Sequence, residues 1–540
     1  MTLPAISRLQ LSLISAGFIT LLCNWTLWQK LQQLQPVTGF MAVVFLGSAV
    51  LLVFAIALSF CQLLSIGRVQ KAWLALVLLC SAAASYYQVN YHVVYDKTMI
   101  QNILATDYHE AYGLVSVRMV LWILGLGLLP ALALIIWPVK SLSFKNQALG
   151  YGLGFLLPVG LIALVALAFY KDYASLFRNN RELKHLIIPS SFMYSAYSFA
   201  LDKSKSFDGP VAIIGEDAHL GPSWRNTKPA VLVLVVGETA RKANFPQAGY
   251  SRNTSPLLTQ ENTIFFDQVS SCGTATAVSV PCMFAQEARK NFDLSHADNR
   301  ENLLDVVQRA GIHVSWVDNN SGCKGVCARV PSEEIPSLKN DEYCRDGECF
   351  DMALLKDLPA RLNNSAPGQL IVLHQKGSHG PSYFERSPAQ FKQFLPECTS
   401  NQLQRCTSAE ITNAYDNSIV YTDYVLGQLI NTLKAASDID SAMLYVSDHG
   451  ESLGENGFYL HGFPYALAPK EQTQIPMVLW LSDGFKSRLN LDWDCLHNNR
   501  HQLLSHDNLF SSVLALLDIK TSVFNPQLDF TSGCSAPAPL

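Results

Sequence analysis

Four polar clusters in this chain each follow an apolar, strand-like run, and their residue types are those that bind metals and phosphates. Glu238 lies in the first cluster, His379 in the third, and Asp448 and His449 in the last, with His461 a few residues beyond. Carboxylates and imidazoles that meet at one place make a zinc site. A single Asp or His is more often a cap or a core residue, so the repetition of such clusters after successive strands is what indicates a metal centre.

A metal at this site needs a group to activate, and Thr274 is the candidate. It lies in a Gly-Thr-Ala-Thr segment that is predicted to begin a helix. A metal-activated hydroxyl can attack an electrophile, and the first amides of a helix stabilise a phosphate. Hydroxyl residues at helix starts are more often plain N-caps, and by composition alone Ser270, Ser271 and Thr276 are rival nucleophiles. The chain has no P-loop, HExxH or GxGxxG motif, so nucleotide and zincin chemistry have no support.

Apolar runs rich in β-branched residues alternate with helical stretches, and they predict the elements that position these clusters. The strand-like runs are 230–236, 314–317, 370–373, 442–446 and 476–481, and helical stretches between them include 302–310 and 411–435. Strands that alternate with helices form a covered, mostly parallel sheet. Because ligands of such sheets bind beyond the carboxyl ends of the strands, the sequence predicts one α/β domain whose polar clusters converge at one edge.

Residues 1–170 have a different character, since they contain only eight basic and three acidic side chains. Five charge-poor apolar runs there predict membrane-spanning helices; they lie within 9–29, 40–64, 72–95, 119–137 and 148–170. A cleaved signal peptide is the alternative for the first run. The basic residues favour a cytoplasmic N-terminus, and those that then face inward are Arg8, Arg68, Lys71, Lys140 and Lys145. Five spans place the rest of the chain on the other side of the membrane.

Composition and apolar runs divide the chain into three predicted parts. Residues 1–170 form a five-helix transmembrane domain, residues 171–228 a membrane-surface helix and linker, and residues 229–540 the catalytic domain. The helix predicted over 173–201 is amphipathic, which fits either the membrane surface or an ordinary surface of the soluble domain. With 15 % charged residues and a net charge of −4, the chain is neither a strongly basic nucleic-acid-binding domain nor a disordered or collagen-like one.

Ten of the thirteen cysteines lie outside the predicted spans, and their even number and short spacings indicate disulfides in an oxidising compartment. The natural short loops are Cys272–Cys282, Cys323–Cys327, Cys344–Cys349 and Cys398–Cys406, which leaves Cys495–Cys534. A zinc site of four thiolates is the alternative, but the spacings are irregular and no CxxC pair occurs. Disulfides are therefore the prediction.

Seven segments, taken together and in this order, resemble the lipid A phosphoethanolamine transferases. That family includes the mobile colistin-resistance enzymes of Gram-negative bacteria and belongs to the alkaline phosphatase superfamily. The segments are GETAR at 237–241, GYSRNTSP at 249–256, CGTATAVSVPC at 272–282, DNNSGCKG at 318–325, GSHGP at 377–381, SDHGES at 447–452 and HGFP at 461–464. The resemblance covers essentially the whole chain, and it implies an N-terminal five-helix transmembrane domain followed by an α/β alkaline phosphatase-like (sulfatase-like) periplasmic domain.

The resemblance also implies a role for each matching residue. It implies one tight zinc site, whose ligands are Glu238, Thr274, Asp448 and His449. It also allows a second zinc. Thr274 matches the nucleophile that becomes modified with phosphoethanolamine. Positions that hold the phosphoethanolamine group or a second zinc are matched by Ser321, Lys324, His379 and His461. Positions that bind the lipid head group are matched by Asn102, Thr106 and Glu110.

The implied activity is transfer of phosphoethanolamine from phosphatidylethanolamine to a lipid A phosphate through a phosphothreonine, which confers polymyxin (colistin) resistance. His379 or His461 would move the proton, and Lys324 would stabilise the phosphate charge. The implied location is the inner membrane with the catalytic domain in the periplasm, and the protein is expected to act as a monomer without nucleic acid.

Other functions compete with this one. Within the same superfamily, a phosphoglycerol transferase or a hydrolase is the alternative, although the Cys/Ser-x-Pro-x-Arg context of a sulfatase is absent around Thr274. From other classes, the chain would be an inactive zinc-binding membrane receptor or an ectodomain held together by disulfides. Neither of these explains why the polar clusters recur at the strand ends.

Overall fold

The computed structural model describes residues 4–34, 39–67, 69–106, 108–141, 143–205, 210–225, 227–297, 299–335, 342–345, 348–363 and 366–534. Arg68, which the orientation argument counts, lies outside these residues. The chain forms two compact units. The first comprises residues 1–103 and 114–201, and the second comprises residues 104–113 and 202–540.

The first unit is helical throughout. Its helices, together with the short helix that follows residue 103, are α1 (Arg8–Leu22), α2 (Trp25–Gln33), α3 (Phe40–Gln62), α4 (Val69–Tyr91), α5 (Lys97–Ala105), α6 (Tyr108–Gly113), α7 (Val117–Ile123), α8 (Leu129–Ile136), α9 (Phe144–Asn179) and α10 (Ser190–Lys205). A π-helical turn at Leu124–Leu128 joins α7 to α8. Four stretches are long and apolar enough to cross a membrane, and the pair α1 and α2, bent by 54°, makes a fifth if it is one span.

The fifth span is longer than the sequence predicts. The expected span ended at residue 170 and a separate helix followed over 173–201, whereas α9 continues to Asn179 with non-helical backbone angles only at Phe169. The chain then makes a 3₁₀ turn at Arg181–His185 before α10 begins. Pro189 explains why the second helix starts only at Ser190, because the residue before a proline disfavours helical angles. The predicted single helix over 173–201 is therefore two helical pieces.

The second unit is built on a sheet of eight strands. The strands of this unit are β1 (His219–Leu220), β2 (Ala230–Gly237), β3 (Ile264–Ser270), β4 (His313–Asp318), β5 (Ser332–Glu334), β6 (Cys344–Arg345), β7 (Glu348–Cys349), β8 (Gly368–His374), β9 (Asp440–Ser447), β10 (Ser452–Leu453), β11 (Tyr459–Leu460), β12 (Gln474–Leu481), β13 (Leu504–Ser505) and β14 (Ile519–Lys520). The large sheet has the order β13-β3-β12-β9-β2-β8-β4-β5. Only β12 runs antiparallel to its neighbours there, so the expected mostly parallel sheet is present.

Helices cover both faces of this sheet. They are α11 (Pro256–Gln260), α12 (Thr276–Met283), α13 (Leu294–Ala297), α14 (Leu303–Arg309), α15 (Leu358–Leu362), α16 (Ser408–Ala435), α17 (Lys470–Thr473), α18 (Asp483–Leu489), α19 (Trp493–Asn498) and α20 (Leu509–Leu516). Alternate residues of β2 serve two different cores. Leu232 and Leu234 pack into one apolar cluster, and Val231 and Val233 into the other. A parallel strand that is buried on both faces reads as a continuous apolar run, which is why the sequence of β2 shows no alternation.

All five disulfides expected from the cysteine spacing are present. The pairs are Cys272–Cys282, Cys323–Cys327, Cys344–Cys349, Cys398–Cys406 and Cys495–Cys534. The three remaining cysteines are free and lie in the helical unit. This pairing excludes the alternative of a zinc site made of four of the ten soluble-domain thiolates.

Replacement of a β2 core residue tests this packing. Leu232→Ala is expected to lower the free energy of unfolding by about 2–5 kcal/mol, because the side chain is fully buried and its removal leaves a cavity. The matched control is Leu503→Ala, since that leucine is 85 % exposed, and it should change stability by no more than about 0.5 kcal/mol. The full-length protein in detergent would be compared by thermal unfolding, and equal melting temperatures for the two variants would contradict the assignment of β2 to the core.

Candidate functional site

Two neighbouring parallel strands bring the acidic clusters together. Glu238 follows the last residue of β2, and Asp448 and His449 follow the last residue of β9. The two strands pair in register up to Gly237 and Ser447. Because both run in the same direction, the residues that come next leave the sheet at the same edge.

The three side chains form a compact buried group. Glu238, Asp448 and His449 each offer one ligand atom, and these atoms all lie within 4.8 Å of one another. The Nε2 atom of His449 lies 3.4 Å from Glu238 Oε1 and 3.4 Å from Asp448 Oδ2. All three residues are fully buried. The structure thus confirms the expected meeting of two carboxylates and one imidazole at the strand ends.

The hydrogen bonds around this group fit a bound cation. His449 Nδ1 lies 2.9 Å from the carbonyl oxygen of Gly450, which fixes the proton on Nδ1 and turns the lone pair of Nε2 toward the two carboxylates. Burial lowers the pKa of His449 to about 3, so the ring is neutral. Asp448 Oδ2 has no hydrogen-bond partner among the described residues. A lone pair and two carboxylates that face each other repel, and a divalent metal removes that repulsion.

The two carboxylates influence each other strongly. Burial, and then the neighbouring Glu238 carboxylate, raise the pKa of Asp448 well above its usual range. Burial also opposes ionisation of Glu238, but nearby imidazoles, with that of His449 foremost, hold the pKa of Glu238 below its usual range. Without a cation between them, the ionised form of one carboxylate thus opposes ionisation of the other. Their oxygen atoms and the His449 nitrogen are the ligand types that zinc takes in proteins.

The structure places Thr276, and not Thr274, beside this group. The hydroxyl of Thr276 donates to Glu238 Oε2 at 3.0 Å and lies 3.4 Å from His449 Nε2. The hydroxyl of Thr274 donates instead to the carbonyl oxygen of Phe463 at 2.6 Å. The hydroxyl expected beside the acidic group is thus that of Thr276 and not that of Thr274, which is turned toward Phe463. Ser270 and Ser271, the other alternative nucleophiles, have other hydrogen-bond partners. Ser271 Oγ donates to Gly273 O, and Ser270 Oγ donates to Leu504 O.

The local backbone explains why the hydroxyl of Thr276, and not that of Thr274, lies beside Glu238. Ala275 is the N-cap, with extended angles of φ −153° and ψ 141°, so Thr276 is the first residue of α12. The amides of Val278 and Ser279 donate to the Ala275 carbonyl, and the Ser279 hydroxyl donates to the carbonyl of Asp448. The helix therefore begins at the metal-ligand group, and its first residue points a hydroxyl into it.

Asn320, which the sequence analysis did not select, holds Glu238 from the other side, and Asp318 and His374 help to hold Asn320. Asn320 Nδ2 donates to Glu238 Oε2 at 2.7 Å and to the carbonyl of Gln375 at 2.9 Å. The backbone N–H of Asn320 donates to Asp318 Oδ1 at 2.8 Å, and Asp318 Oδ2 lies 2.8 Å from His374 Nδ1. The signal was available, because Asp318 and Asn320 lie in the segment at 318–325 that carries Ser321 and Lys324.

Two further histidines stand at the opening of the site. The rings of His379 and His461 have centroids 5.4 Å apart, and those of His449 and His461 are 4.5 Å apart. His461 Nδ1 lies 2.9 Å from Glu451 Oε2, and Glu451 Oε1 accepts a hydrogen bond from Tyr383 Oη at 2.5 Å. Glu451 is fully buried. It orients His461 and was not selected from the sequence, although it stands in the SDHGES segment.

Ser321 and Lys324 meet beside Asn320. Lys324 Nζ donates to the carbonyl oxygen of Ser321 at 2.8 Å and to its hydroxyl oxygen at 2.7 Å. Lys324 adopts a left-handed backbone conformation with φ +52°, which turns this short loop back on itself. The loop thus presents an ammonium group and a hydroxyl next to the residue that holds Glu238.

The three residues expected to bind a lipid head group lie on α5, α6 and the turn between them. Asn102 is on α5, Thr106 follows it, and Glu110 is on α6. The Glu110 side chain lies outside the described part of the structure. Residues 104–113 group with the second compact unit. The expected role of these three residues stays a prediction.

Comparisons with known proteins agree with this geometry. A family model described as Sulfatase matches residues 230–519, and one described as Phosphoethanolamine transferase EptA/EptB matches residues 37–203. Phosphoethanolamine transferase EptA of Escherichia coli (strain K12) is 40 % identical over 535 residues, which is 98 % of each chain. Phosphatidylethanolamine transferase Mcr-1 of Escherichia coli is 37 % identical over 516 residues and covers 93 % of this chain and 94 % of that one.

A solved structure extends the similarity to the whole molecule. The integral membrane protein lipooligosaccharide phosphoethanolamine transferase A (EptA) from Neisseria meningitidis matches with a TM-score of 0.94 and 38 % identity over 99 % of this chain and all of that one. The expected fold class, enzyme class and inner-membrane location with a periplasmic catalytic domain are confirmed. The chain belongs to the phosphoethanolamine transferase family.

Proposed function

We propose that this protein transfers phosphoethanolamine from phosphatidylethanolamine to a phosphate of lipid A, through a phosphothreonine formed on Thr276. The observation that carries the proposal is the Thr276 hydroxyl, which lies 3.0 Å from Glu238 Oε2 at the start of a helix. A nucleophile in that place also has the amides of α12 close to the phosphate it would carry. Similar proteins named for lipooligosaccharide and for Kdo(2)-lipid A support a lipid A type of acceptor.

The residues that would hold zinc are Glu238, Thr276, Asp448 and His449. Bound there, zinc would lower the pKa of the Thr276 hydroxyl and offset charge on the phosphoryl oxygens. Glu238 Oε2, which accepts the hydrogen bond from Thr276, keeps the hydroxyl oriented. Asn320 donates to the same oxygen, so this carboxylate cannot rotate away from the nucleophile.

In the first half-reaction, Thr276 Oγ forms a bond to the phosphorus of phosphatidylethanolamine. The bond from phosphorus to the diacylglycerol oxygen breaks, and diacylglycerol leaves after it takes up a proton. His461 is proposed to take the proton of the Thr276 hydroxyl and pass it to that oxygen, because Glu451 orients its ring through Nδ1 and the ring lies beside that of His449. Lys324, with Ser321 beside it, would bind the charged phosphoethanolamine group together with His379.

In the second half-reaction, an oxygen of a lipid A phosphate attacks the phosphothreonine. The bond between Thr276 Oγ and phosphorus breaks, and the threonine oxygen takes up the proton that His461 has accepted from the attacking phosphate. Both substrates are membrane lipids, so a catalytic domain (residues 229–540) joined through residues 171–228 to a membrane anchor (residues 1–170) suits a monomeric enzyme. Asn102, Thr106 and Glu110 are proposed to contact the lipid head group.

The product explains a resistance function. Phosphoethanolamine adds an ammonium group to each lipid A phosphate that it modifies, and this positive charge offsets the charge that attracts polymyxins and other cationic peptides. The expected result is that a polymyxin-sensitive host that expresses this chain carries phosphoethanolamine on its lipid A and needs more polymyxin for inhibition. Mass spectrometry of extracted lipid A would measure this, and unmodified lipid A in cells with zinc-loaded protein would refute the proposal.

The choice of nucleophile has its own test. Thr276→Val removes the hydroxyl that contacts Glu238 with little change of shape, and we expect transfer to fall by about a thousandfold or more with no phosphoethanolamine adduct on the protein. Thr274→Val is the matched control. It removes only the hydrogen bond to Phe463 O, and we expect transfer to stay within about tenfold. Intact-protein mass spectrometry and lipid A analysis would report both steps, and the reverse order of effects would return the role to Thr274.

Zinc binding is tested by direct metal analysis. Asp448→Asn replaces a buried ligand, and we expect the purified protein to lose most of its zinc. Asp483→Asn is the control, because that carboxylate is fully exposed and remote in sequence. Asn320→Ala should weaken zinc binding or activity by about 10–100-fold, since it removes the side chain that orients a ligand. Equal zinc content in the Asp448 and Asp483 variants would contradict the ligand assignment.

A further inference from the structure

A cavity of about 430 Å³ opens at one end of the helical unit, between the start of α1, the end of α3 and the start of α9. These three ends meet because α3 runs opposite to α1 and α9 in the predicted transmembrane arrangement. With the cytoplasmic N-terminus that the basic residues favour, this end of the bundle faces the cytoplasm. Pockets of about 300–1,000 Å³ accommodate drug-sized molecules, so the cavity is large enough for a phosphate-bearing head group.

Two cationic side chains line this cavity, and the backbone brings them to the same place. Arg8 begins α1, and Lys140 lies in the segment between α8 and α9. The amide of Ile6 donates to the carbonyl of Pro138 at 3.1 Å, and the amide of Lys140 donates to the carbonyl of Ile6 at 2.9 Å. These bonds form a small parallel bridge between Ile6 and Val139. These main-chain contacts place the segment that carries Lys140 beside the segment that leads into Arg8.

The charge of the lining has one sign. Besides Arg8 and Lys140, the lining consists of polar and apolar residues, and none of the residues that form it is Asp or Glu. The guanidinium of Arg8 also donates to the carbonyl of Gly67 and, at 3.3 Å, to Gln70 Oε1, which fixes its position at the mouth. Two cations in a lining without a carboxylate favour an anion, and guanidinium groups bind phosphate with a defined, bidentate geometry.

A buried amide provides a second, independent indication of a ligand. Gln62 lines the cavity and is 1 % exposed, and neither its Nε2 nor its Oε1 has a hydrogen-bond partner among the described residues. The amide is pressed against α9, since a Cβ atom at Gly154 would lie 2.0 Å from Gln62 Nε2. A buried amide without partners is costly. Polar oxygens of a ligand in the cavity would satisfy it.

The outer wall of the cavity is apolar. Leu149 and Leu153 of α9 line it, and they are 63 % and 48 % exposed. A ligand that fits both parts has a phosphate for the cations, further oxygens for the Gln62 amide and hydrocarbon for the exposed leucines. We propose that this cavity binds the head group of an anionic diacyl phospholipid of the cytoplasmic leaflet, of the phosphatidylglycerol class. The proposal does not depend on the transfer activity proposed above.

Native mass spectrometry of the full-length, delipidated protein in detergent tests this site. Dioleoyl phosphatidylglycerol, dioleoyl phosphatidylcholine and free glycerol 3-phosphate would be added separately, and phosphatidylethanolamine is left out because it is the proposed donor substrate. We expect one tightly bound phosphatidylglycerol per protein, and at least about tenfold weaker binding of phosphatidylcholine and glycerol 3-phosphate. The double variant R8Q/K140Q should bind phosphatidylglycerol at least about tenfold more weakly, because two cations near a membrane surface are lost.

The control variant is Lys145→Gln, which removes an exposed cation of α9 that does not line the cavity. It should bind phosphatidylglycerol as the unaltered protein does. Because Arg8 also contacts Gly67 and Gln70, the single variant Lys140→Gln provides a second measurement if the double variant does not fold. The proposal is overturned if the Lys140 variant binds as tightly as the unaltered protein, if Lys145→Gln weakens binding equally, or if phosphatidylcholine or glycerol 3-phosphate binds as well as phosphatidylglycerol.

Discussion

Two carboxylates and an unprotonated imidazole nitrogen face one another in a fully buried space, and the catalytic half of this protein is organised around that repulsion. Adjacent parallel strands end at Gly237 and Ser447, so the side chains of Glu238, Asp448 and His449 cannot avoid each other. In a medium of low polarizability such an arrangement is unfavourable unless a cation joins the three groups. A divalent metal bound between the three groups would offset this repulsion.

The surrounding residues restrict the positions that these three side chains can take. Asn320 holds one oxygen of Glu238, and the Asp318–His374 pair in turn helps to hold Asn320. The Cys272–Cys282 disulfide joins the turn before α12 to the end of that helix. Phosphoryl transfer depends mainly on positioning and on fixed charges, and these contacts leave the ligand and nucleophile geometry little freedom.

The sequence predicted the strands, the metal-binding carboxylates, the disulfides and the family, because each depends on local pattern or on residue identity. It differs from the structure where a shift of two residues decides which hydroxyl lies beside the acidic group. Thr274 and Thr276 flank Ala275, and only the place where the helix begins determines which hydroxyl reaches Glu238. Asn320 and Glu451 were missed for another reason. Asn320 lies 82 positions from Glu238, so only the folded chain brings the two together. Glu451 lies ten positions from His461, but its orienting contact depends on the turn that folds one residue back onto the other.

Acidic and basic side chains of the helical half lie in different parts of the chain, and this separation affects lipid binding as well as membrane orientation. The three acidic residues of positions 1–170 are Asp96, Asp107 and Glu110, and all lie between α4 and α7. The opposite end of the bundle therefore carries cations alone, which sets the topology through the positive-inside preference. The sequence places no carboxylate among these cations, and the partners of Arg8 given above, Gly67 O and Gln70 Oε1, are neutral. Where two such cations, a buried amide and exposed leucines line one cavity, an anionic lipid completes the charge balance that the chain itself leaves open.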